Sequence, residues 1–171
     1  MKKESNLRRL TEAGVIAALY VAITLMVAPL SYGAVQVRVS ELLTVLPVFT
    51  AAAVPGLTVG CLLANLLGMT MGMTGGWDIL FGTAATLLAA WLSYVFRRVR
   101  VKDLPLLSVA MPILCNALIV GLELALFFSG TAFTLPLYGV SALWVGIGEL
   151  ISAGAGGLLL FLALRKSKLF E

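Results

Sequence analysis

Histidine is absent from this sequence of 171 residues, and charge is scarce, because only 12% of the residues are Asp, Glu, Lys or Arg. Without histidine the chain cannot build a Ser-His or Cys-His nucleophile. It also contains no GxxxxGK[ST] string, so it does not hydrolyse ATP through a P-loop. An enzyme is therefore the class of protein that the sequence supports least.

Cysteine is almost as rare, since the chain holds only Cys61 and Cys115. Both lie in apolar segments and neither belongs to a CxxC pair. With no histidine beside them, a zinc or haem site is nearly excluded, and a disulfide is not expected. We predict two buried free thiols and no cofactor bound by this chain.

Apolar residues fill the space that these absences leave. They make up 61% of the chain, and the mean hydropathy is +1.06. Soluble domains carry roughly 25% charged residues, about twice the fraction found here. The sequence therefore predicts an all-α integral membrane protein with six transmembrane helices, the second and third of them short. The predicted helices are 10–31, 40–54, 56–70, 79–96, 105–129 and 141–164.

Basic residues set the predicted orientation. With six helices, eleven of the twelve Lys and Arg residues fall on one side, which the positive-inside rule makes cytoplasmic. Both termini are then cytoplasmic, and only Arg38 is external. We read the first apolar stretch as a retained helix and not a cleaved signal peptide. The chain is expected to form one domain, 1–171, in the bacterial plasma membrane. The net charge of +4 needs no nucleic-acid partner.

Polar residues inside the spans are the candidates for function, because charge in a bilayer is expensive unless it is paired, wet or functional. In the six-helix topology they gather in the outer half of the membrane, as expected of a site that opens outward. Glu123 and Glu149 are the strongest candidates, because neither lies near a predicted helix end. The candidate substrate-binding residues are Arg38, Glu41, Asn65, Trp77, Asp78, Asn116, Glu123, Trp144 and Glu149.

Several of these candidates have a structural alternative. Trp77 and Trp144 could cover a flat ligand ring, or they could be ordinary interfacial aromatics. Arg38 and Glu41 could form a structural ion pair. Asp78 could cap the fourth helix, whose first turn follows two glycines.

Asparagines and small residues carry a second set of alternatives. Asn65 and Asn116 could be interhelical glue instead of ligand contacts. In the first helix, alanines recur at four-residue spacing, which lets another helix approach closely. They predict either internal packing or a docking face for a partner protein. These alanines are Ala13, Ala17, Ala18 and Ala22.

Four segments of the chain resemble the QueT family, whose members are substrate-binding S components of energy-coupling factor (ECF) transporters for queuosine precursors. The similarity also covers the basic N-terminus and the Ala-rich first helix. The resembling segments are "VRVSELLTVLP" (37–47), "AAAVPGLTVGCLLANLLG" (51–68), "WDILFGTAATLLAA" (77–90) and "GELISAGAGG" (148–157).

This resemblance implies a ligand, partners and roles. The ligand would be a 7-deazaguanine such as 7-aminomethyl-7-deazaguanine or queuine. Glu123 and Glu149 would accept the ring donors and the aminomethyl cation, and Asn65 and Asn116 would read the rest of the ring. The alanines of helix one would dock on a transmembrane T component. Two cytoplasmic ATPases would consume the ATP.

Three other functions remain open at this stage. The chain could be an S component for another vitamin, which only the identity of the ligand would distinguish. It could be a proton-coupled secondary transporter with Glu123 and Glu149 as proton carriers. It could also be a membrane scaffold, in which case neither glutamate would matter for function.

Overall fold

The computed structural model describes residues 2–31 and 37–167, with side chains from residue 6 onward. Lys168 and the side chains of Lys2 and Lys3, which belong to the predicted basic groups, lie outside the described part. The elements are α1 (Lys2–Met26), α2 (Ala28–Ser31), a central 3₁₀ helix (Val39–Val48), α3 (Ala53–Thr70), α4 (Gly76–Val95), α5 (Leu106–Glu123), a first π segment (Leu124–Phe128), α6 (Leu135–Glu149), a second π segment (Leu150–Gly156) and α7 (Gly157–Leu164).

Five of the described helices are long and apolar enough to cross a membrane, and the central 3₁₀ helix is a shorter apolar sixth. The chain is thus an all-α, multi-pass membrane protein, as predicted. The third predicted helix is longer than expected, because α3 has 18 residues and reaches about 27 Å at 1.5 Å per residue. Pro55 lies inside α3 and does not end the element before it. A proline is tolerated in the first turn of a helix, because the N–H groups there have no acceptor within the helix.

The central 3₁₀ helix replaces the predicted helix 40–54. Its ten residues are far more than the three or four usual for this conformation, and they rise about 20 Å. Most of its residues are buried, so tertiary packing maintains it. The Thr24 hydroxyl donates to the Ser40 hydroxyl at 2.7 Å and ties the start of this helix to α1.

Glycines let α1 and α3 approach closely. A Cβ on Gly56 would lie 2.8 Å from the carbonyl oxygen of Ala13, and a Cβ on Gly60 would lie 2.8 Å from Cβ of Tyr20 and 3.1 Å from Cα of Ala17. The internal-packing alternative therefore accounts for Ala13 and Ala17.

The sixth helix is one continuous element of 30 residues, Leu135–Leu164, in which the second π segment joins α6 to α7. It begins six residues before the predicted start, with Thr134 capping the N–H of Leu137. Glu149 consequently lies about 21 Å from that end, near the middle of the helix and deeper than the sequence suggested.

Contacts bring the described basic segments to one end of the bundle. The Thr50 hydroxyl donates to Glu12, which also pairs with Arg8. Phe49 packs on Phe161, and the guanidinium of Arg100 lies 4.9 Å from the Phe161 ring centre. We call this the basic end. The side of the membrane on which it lies remains a prediction of the positive-inside rule.

Gly121 lies at a close contact between α5 and α6, since a Cβ there would lie 2.7 Å from Cα of Ala142. We expect Gly121→Ala to push the two helices apart and lower the free energy of unfolding by about 1–3 kcal/mol, the usual cost of overpacking. Unfolding by SDS titration in mixed micelles measures this change. The control is Gly139→Ala on α6, where a Cβ meets nothing within 4 Å, and no loss is expected. Equal behaviour of the two variants would contradict the prediction.

A tight turn at the basic end holds two residues in the left-handed region. Lys102 and Asp103 have φ angles of 50° and 63°, and the turn closes through paired backbone hydrogen bonds between Val101 and Leu104. Glycine adopts this conformation without the Cβ penalty. Asp103→Gly should therefore raise the free energy of unfolding by about 1 kcal/mol. Arg98→Gly in the same connection should give no gain, and an equal gain there would rule out the strain.

Candidate functional site

A small cavity lies where the central 3₁₀ helix meets α5 and α6. Its volume is about 10 Å³, close to the space that one water molecule needs. Two carboxylates, one guanidinium and one amide line it. Its lining residues are Arg38, Glu41, Asn116, Val120, Val145 and Glu149.

The two carboxylate oxygens of Glu41 differ in their hydrogen bonds. Its Oε1 accepts hydrogen bonds from the hydroxyl of Tyr20 on α1 and, at 3.4 Å, from the hydroxyl of Thr86 on α4. Its Oε2 is buried and accepts no hydrogen bond from residues 2–31 or 37–167. One oxygen of this carboxylate is thus available to a donor that enters the cavity.

Glu149 reaches the same cavity from the end of α6. It is 3% exposed, and its Oε2 is likewise buried without a hydrogen bond from the described residues. The side chain of Asn116 on α5 lines the same cavity. Two carboxylates and one amide from different helices therefore meet at one space.

Arg38 and Asp78 form a second polar group that ties the start of the 3₁₀ helix to α4. Arg38 Nη2 lies 3.6 Å from Asp78 Oδ1, and both side chains are buried. The amide of Asn65 donates to the Asp78 carbonyl at 2.7 Å. A Cβ on Gly82 would lie 2.9 Å from Asn65 Nδ2 and 3.4 Å from Arg38 Nη1. Gly82 therefore makes the room in which Arg38 lies.

Asp78 and Asn65 follow their structural alternatives. Asp78 Oδ2 accepts hydrogen bonds from the backbone N–H of Gly75 and the hydroxyl of Thr74, so this carboxylate caps α4 as well as pairing with Arg38. Asn65 joins α3 to α4, and the helix-glue interpretation describes it. Neither residue lines the cavity.

Glu123 is 0% exposed, and neither of its oxygens accepts a hydrogen bond from the part of the chain that the structure describes. It interacts electrostatically with Asp78 and Arg38, and so belongs to the second polar group more than to the cavity. Glu123 and Asn116 lie on one buried face of α5, as predicted. Glu149 lines the cavity with Glu41, whereas Glu123 does not line it.

Both predicted carboxylates stand where a helix changes form. Glu123 is the last residue of α5 before the first π segment, and Glu149 is the last residue of α6 before the second. Short π segments inside α-helices occur frequently at functional sites. This feature was not visible in the sequence, although the small residues after Glu149 allow it.

Together the two groups bury more acidic than basic side chains. Among the described residues, four buried carboxyl groups, those of Glu41, Asp78, Glu123 and Glu149, accompany one buried guanidinium, that of Arg38. Buried carboxylates need protons, donors or cations. The cavity is therefore suited to a ligand that is rich in N–H donors or carries positive charge.

Trp77 and Trp144 lie away from the cavity. Their exposed fractions are 47% and 49%, and Trp77 stacks on Phe127 at 4.1 Å between ring centres. Such exposure fits the interfacial-aromatic alternative. We leave them out of the proposed ligand site.

Of the four alanines on α1, Ala18 and Ala22 are exposed, and Gly14 continues their stripe. These two are the members left for a partner, since Ala13 and Ala17 face α3.

Four hydroxyl residues around Glu41 were not predicted from the sequence. Tyr20 and Thr24 are buried on one face of α1, and Ser40 and Thr86 are buried beside them. The i, i+4 spacing of Tyr20 and Thr24 inside an apolar helix was the available signal.

A multi-pass helical bundle that buries several carboxylates among its helices is typical of membrane proteins that handle a polar solute. Residues 10–166 match the family described as QueT transporter, and the chain belongs to that family. This membership places it among transporters and not among enzymes, as the sequence predicted.

A curated relative supports the same family. A segment of 89 residues is 33% identical to the queuosine precursor transporter QueT of Lactococcus lactis subsp. cremoris (strain MG1363). The segment covers 50% of this chain and 49% of that protein, so the match spans about half of the relative's length. No solved structure matches the chain.

Proposed function

We propose that this protein is the substrate-binding S component of an ECF importer, and that it captures a queuosine precursor of the 7-deazaguanine class outside the cell. Membership of the QueT transporter family and the name of the Lactococcus relative support the substrate class. The observation that carries the proposal is the cavity at which Glu41 and Glu149 each present one oxygen that no described residue donates to.

The donors of a 7-deazaguanine complement these acceptors. The ring N–H and the adjacent amino group can donate in parallel to one carboxylate, and a bidentate contact of this kind is both strong and specific. An aminomethyl cation at position 7 would then pair with the other carboxylate. The amide of Asn116 lines the same cavity and can donate to the ring carbonyl. We assign the pair Glu41 and Glu149 to these roles in place of the predicted Glu123 and Glu149.

Binding a bicyclic ring requires the cavity to widen, because ligand pockets usually measure about 300–1,000 Å³. Among its walls, α6 is the least enclosed: its main contacts are with α5 and the two π segments, and its first turn is exposed. We expect α6 to move outward when the ligand enters, so that Val145 and Glu149 move with it.

Import requires partners that this chain does not supply. In the proposal a transmembrane T component docks on the exposed Ala18 and Ala22, and two cytoplasmic ATPases drive delivery of the ligand. Small side chains at that spacing allow a close helix–helix contact.

Reconstitution in liposomes tests the proposal. The chain alone should bind 7-aminomethyl-7-deazaguanine without accumulating it, and the chain with its T component and ATPases should accumulate it when ATP is present. Accumulation by the chain alone, driven by a proton gradient, would contradict the proposal and indicate a secondary transporter.

A variant separates binding from docking in this assay. Ala18→Leu should abolish ATP-driven accumulation while binding stays intact. Ala84→Leu, at an exposed alanine of α4, is the matched control and should leave both unchanged.

A further inference from the structure

Tyr20 is a fully buried phenol in the last third of α1, at 0% exposure. Its Cβ lies against Gly60 of α3, where a Cβ on the glycine would be only 2.8 Å away. This close approach fixes the position of the ring between α1 and α3. A buried hydroxyl needs a hydrogen-bond partner, and the hydroxyl of Tyr20 donates to Glu41.

The Tyr20 hydroxyl donates to only one of the two carboxylate oxygens of Glu41. Oε1 accepts from Tyr20 and Thr86, while Oε2 is buried at the cavity without a hydrogen bond from the described residues. A carboxylate fixed at one oxygen by two donors cannot rotate freely about its last bond. The donors on α1 and α4 therefore determine which way the remaining oxygen points.

The segment around Glu41 is held by two further hydrogen bonds, one from α1 and one within the 3₁₀ helix. The hydroxyl of Thr24, one turn along α1 from Tyr20, donates to the hydroxyl of Ser40 at 2.7 Å. The hydroxyl of Thr44 donates to the Glu41 carbonyl at 2.5 Å. Since the main chain is held independently of the phenol, removing the Tyr20 hydroxyl should free the carboxylate and not the whole segment.

We infer that Tyr20 is a positioning residue for ligand binding: its hydroxyl binds Oε1 of Glu41 and thereby orients Oε2 toward the cavity. This inference rests on the proposed function, because it assumes that Glu41 accepts a donor from the bound 7-deazaguanine. Tyr20 itself does not line the cavity and acts only through Glu41.

A double-mutant cycle tests this role. The dissociation constant for 7-aminomethyl-7-deazaguanine is measured by calorimetry for wild type, Tyr20→Phe, Glu41→Gln and the double variant. Tyr20→Phe should weaken binding about tenfold, the range for a lost hydrogen bond to a charged group. In the Glu41→Gln background the same change should alter binding less than about twofold, because the carboxylate that the Tyr20 hydroxyl orients is absent. Tyr94→Phe, at the basic end, is the control and should leave binding unchanged.

Other outcomes overturn the inference. An equal loss in both backgrounds would mean that Tyr20 acts independently of Glu41. A lower unfolding temperature of Tyr20→Phe with unchanged affinity would mean that its role is only structural.

The failure of the proposed function would look different. If folded wild type binds no deazaguanine, the same four proteins are compared by thermal unfolding. Coupled losses would still support the hold of Tyr20 on Glu41, whereas additive losses would overturn it.

Discussion

Replacing Arg38 with methionine is expected to lower the free energy of unfolding by about 3–5 kcal/mol, the usual result of removing one partner of a buried ion pair. The guanidinium is the counter-charge at 3.6 Å to Asp78, and it lies at a cavity that also receives Glu41 and Glu149. Without it, these carboxylates stay buried with no other buried basic side chain among the described residues. SDS titration in mixed micelles measures the loss.

Two further variants make this result specific. Arg8→Met removes an ion pair with Glu12 whose arginine is 66% exposed, and it should cost less than about 1 kcal/mol. The double variant Arg38→Met/Asp78→Asn should be more stable than Arg38→Met alone, because it removes one of the uncompensated charges and keeps a side chain that can cap α4. A loss in Arg38→Met no larger than that in Arg8→Met would show that the carboxylates do not depend on Arg38.

Replacing Glu149 with glutamine is expected to weaken binding of 7-aminomethyl-7-deazaguanine at least tenfold. The change keeps the size of the side chain but removes the charge and one acceptor, and leaves a ligand donor unpaired in a buried site. The stability of the folded state should not fall, because a neutral amide costs less to bury than a charged carboxylate. Oε2 of Glu149 accepts no hydrogen bond from the described residues. Calorimetry gives the affinity and thermal unfolding gives the stability.

Glu123→Gln is the matched control for this variant. Glu123 is also a buried carboxylate at the start of a π segment, but it does not line the cavity. Its replacement should change the affinity less than about threefold. If Glu123→Gln weakens binding more than Glu149→Gln does, the ligand lies nearer the Arg38–Asp78 group, and the assignment of Glu41 to the site is wrong.

The class of fold was predictable from the sequence because composition acts through simple physics. A chain with so few charges needs lipid around it, and its long apolar runs fit the thickness of a bilayer. The burial of Glu123 and Glu149 was predictable for the same reason, since both sit inside apolar helices.

The local boundaries were less predictable, because they depend on contacts between segments distant in sequence. Pro55 looked like a break, yet it lies in the first turn of α3. The stretch 39–48 looked like an α-helix, yet it is a 3₁₀ helix whose start is tied to α1 through Tyr20 and Thr24.

Part of the composition of the site could be predicted from the sequence. Residue type and hydropathy identified Glu41, Asn116 and Glu149 as candidates, but they contained no information about which carboxylates face each other. That pairing follows from the crossing of the 3₁₀ helix with α5 and α6, which no local pattern encodes. Tyr20 was not predicted from the sequence, because a tyrosine in an apolar helix is usually interpreted as an interfacial residue.

Calorimetric titration of the purified wild-type protein with 7-aminomethyl-7-deazaguanine, with queuine, guanine, riboflavin and thiamine as comparisons, tests the central claim most directly. We predict tight one-to-one binding of a queuosine precursor and no binding of riboflavin or thiamine. Binding of a vitamin in preference to every deazaguanine, or no binding of a deazaguanine by folded protein, would contradict the claim.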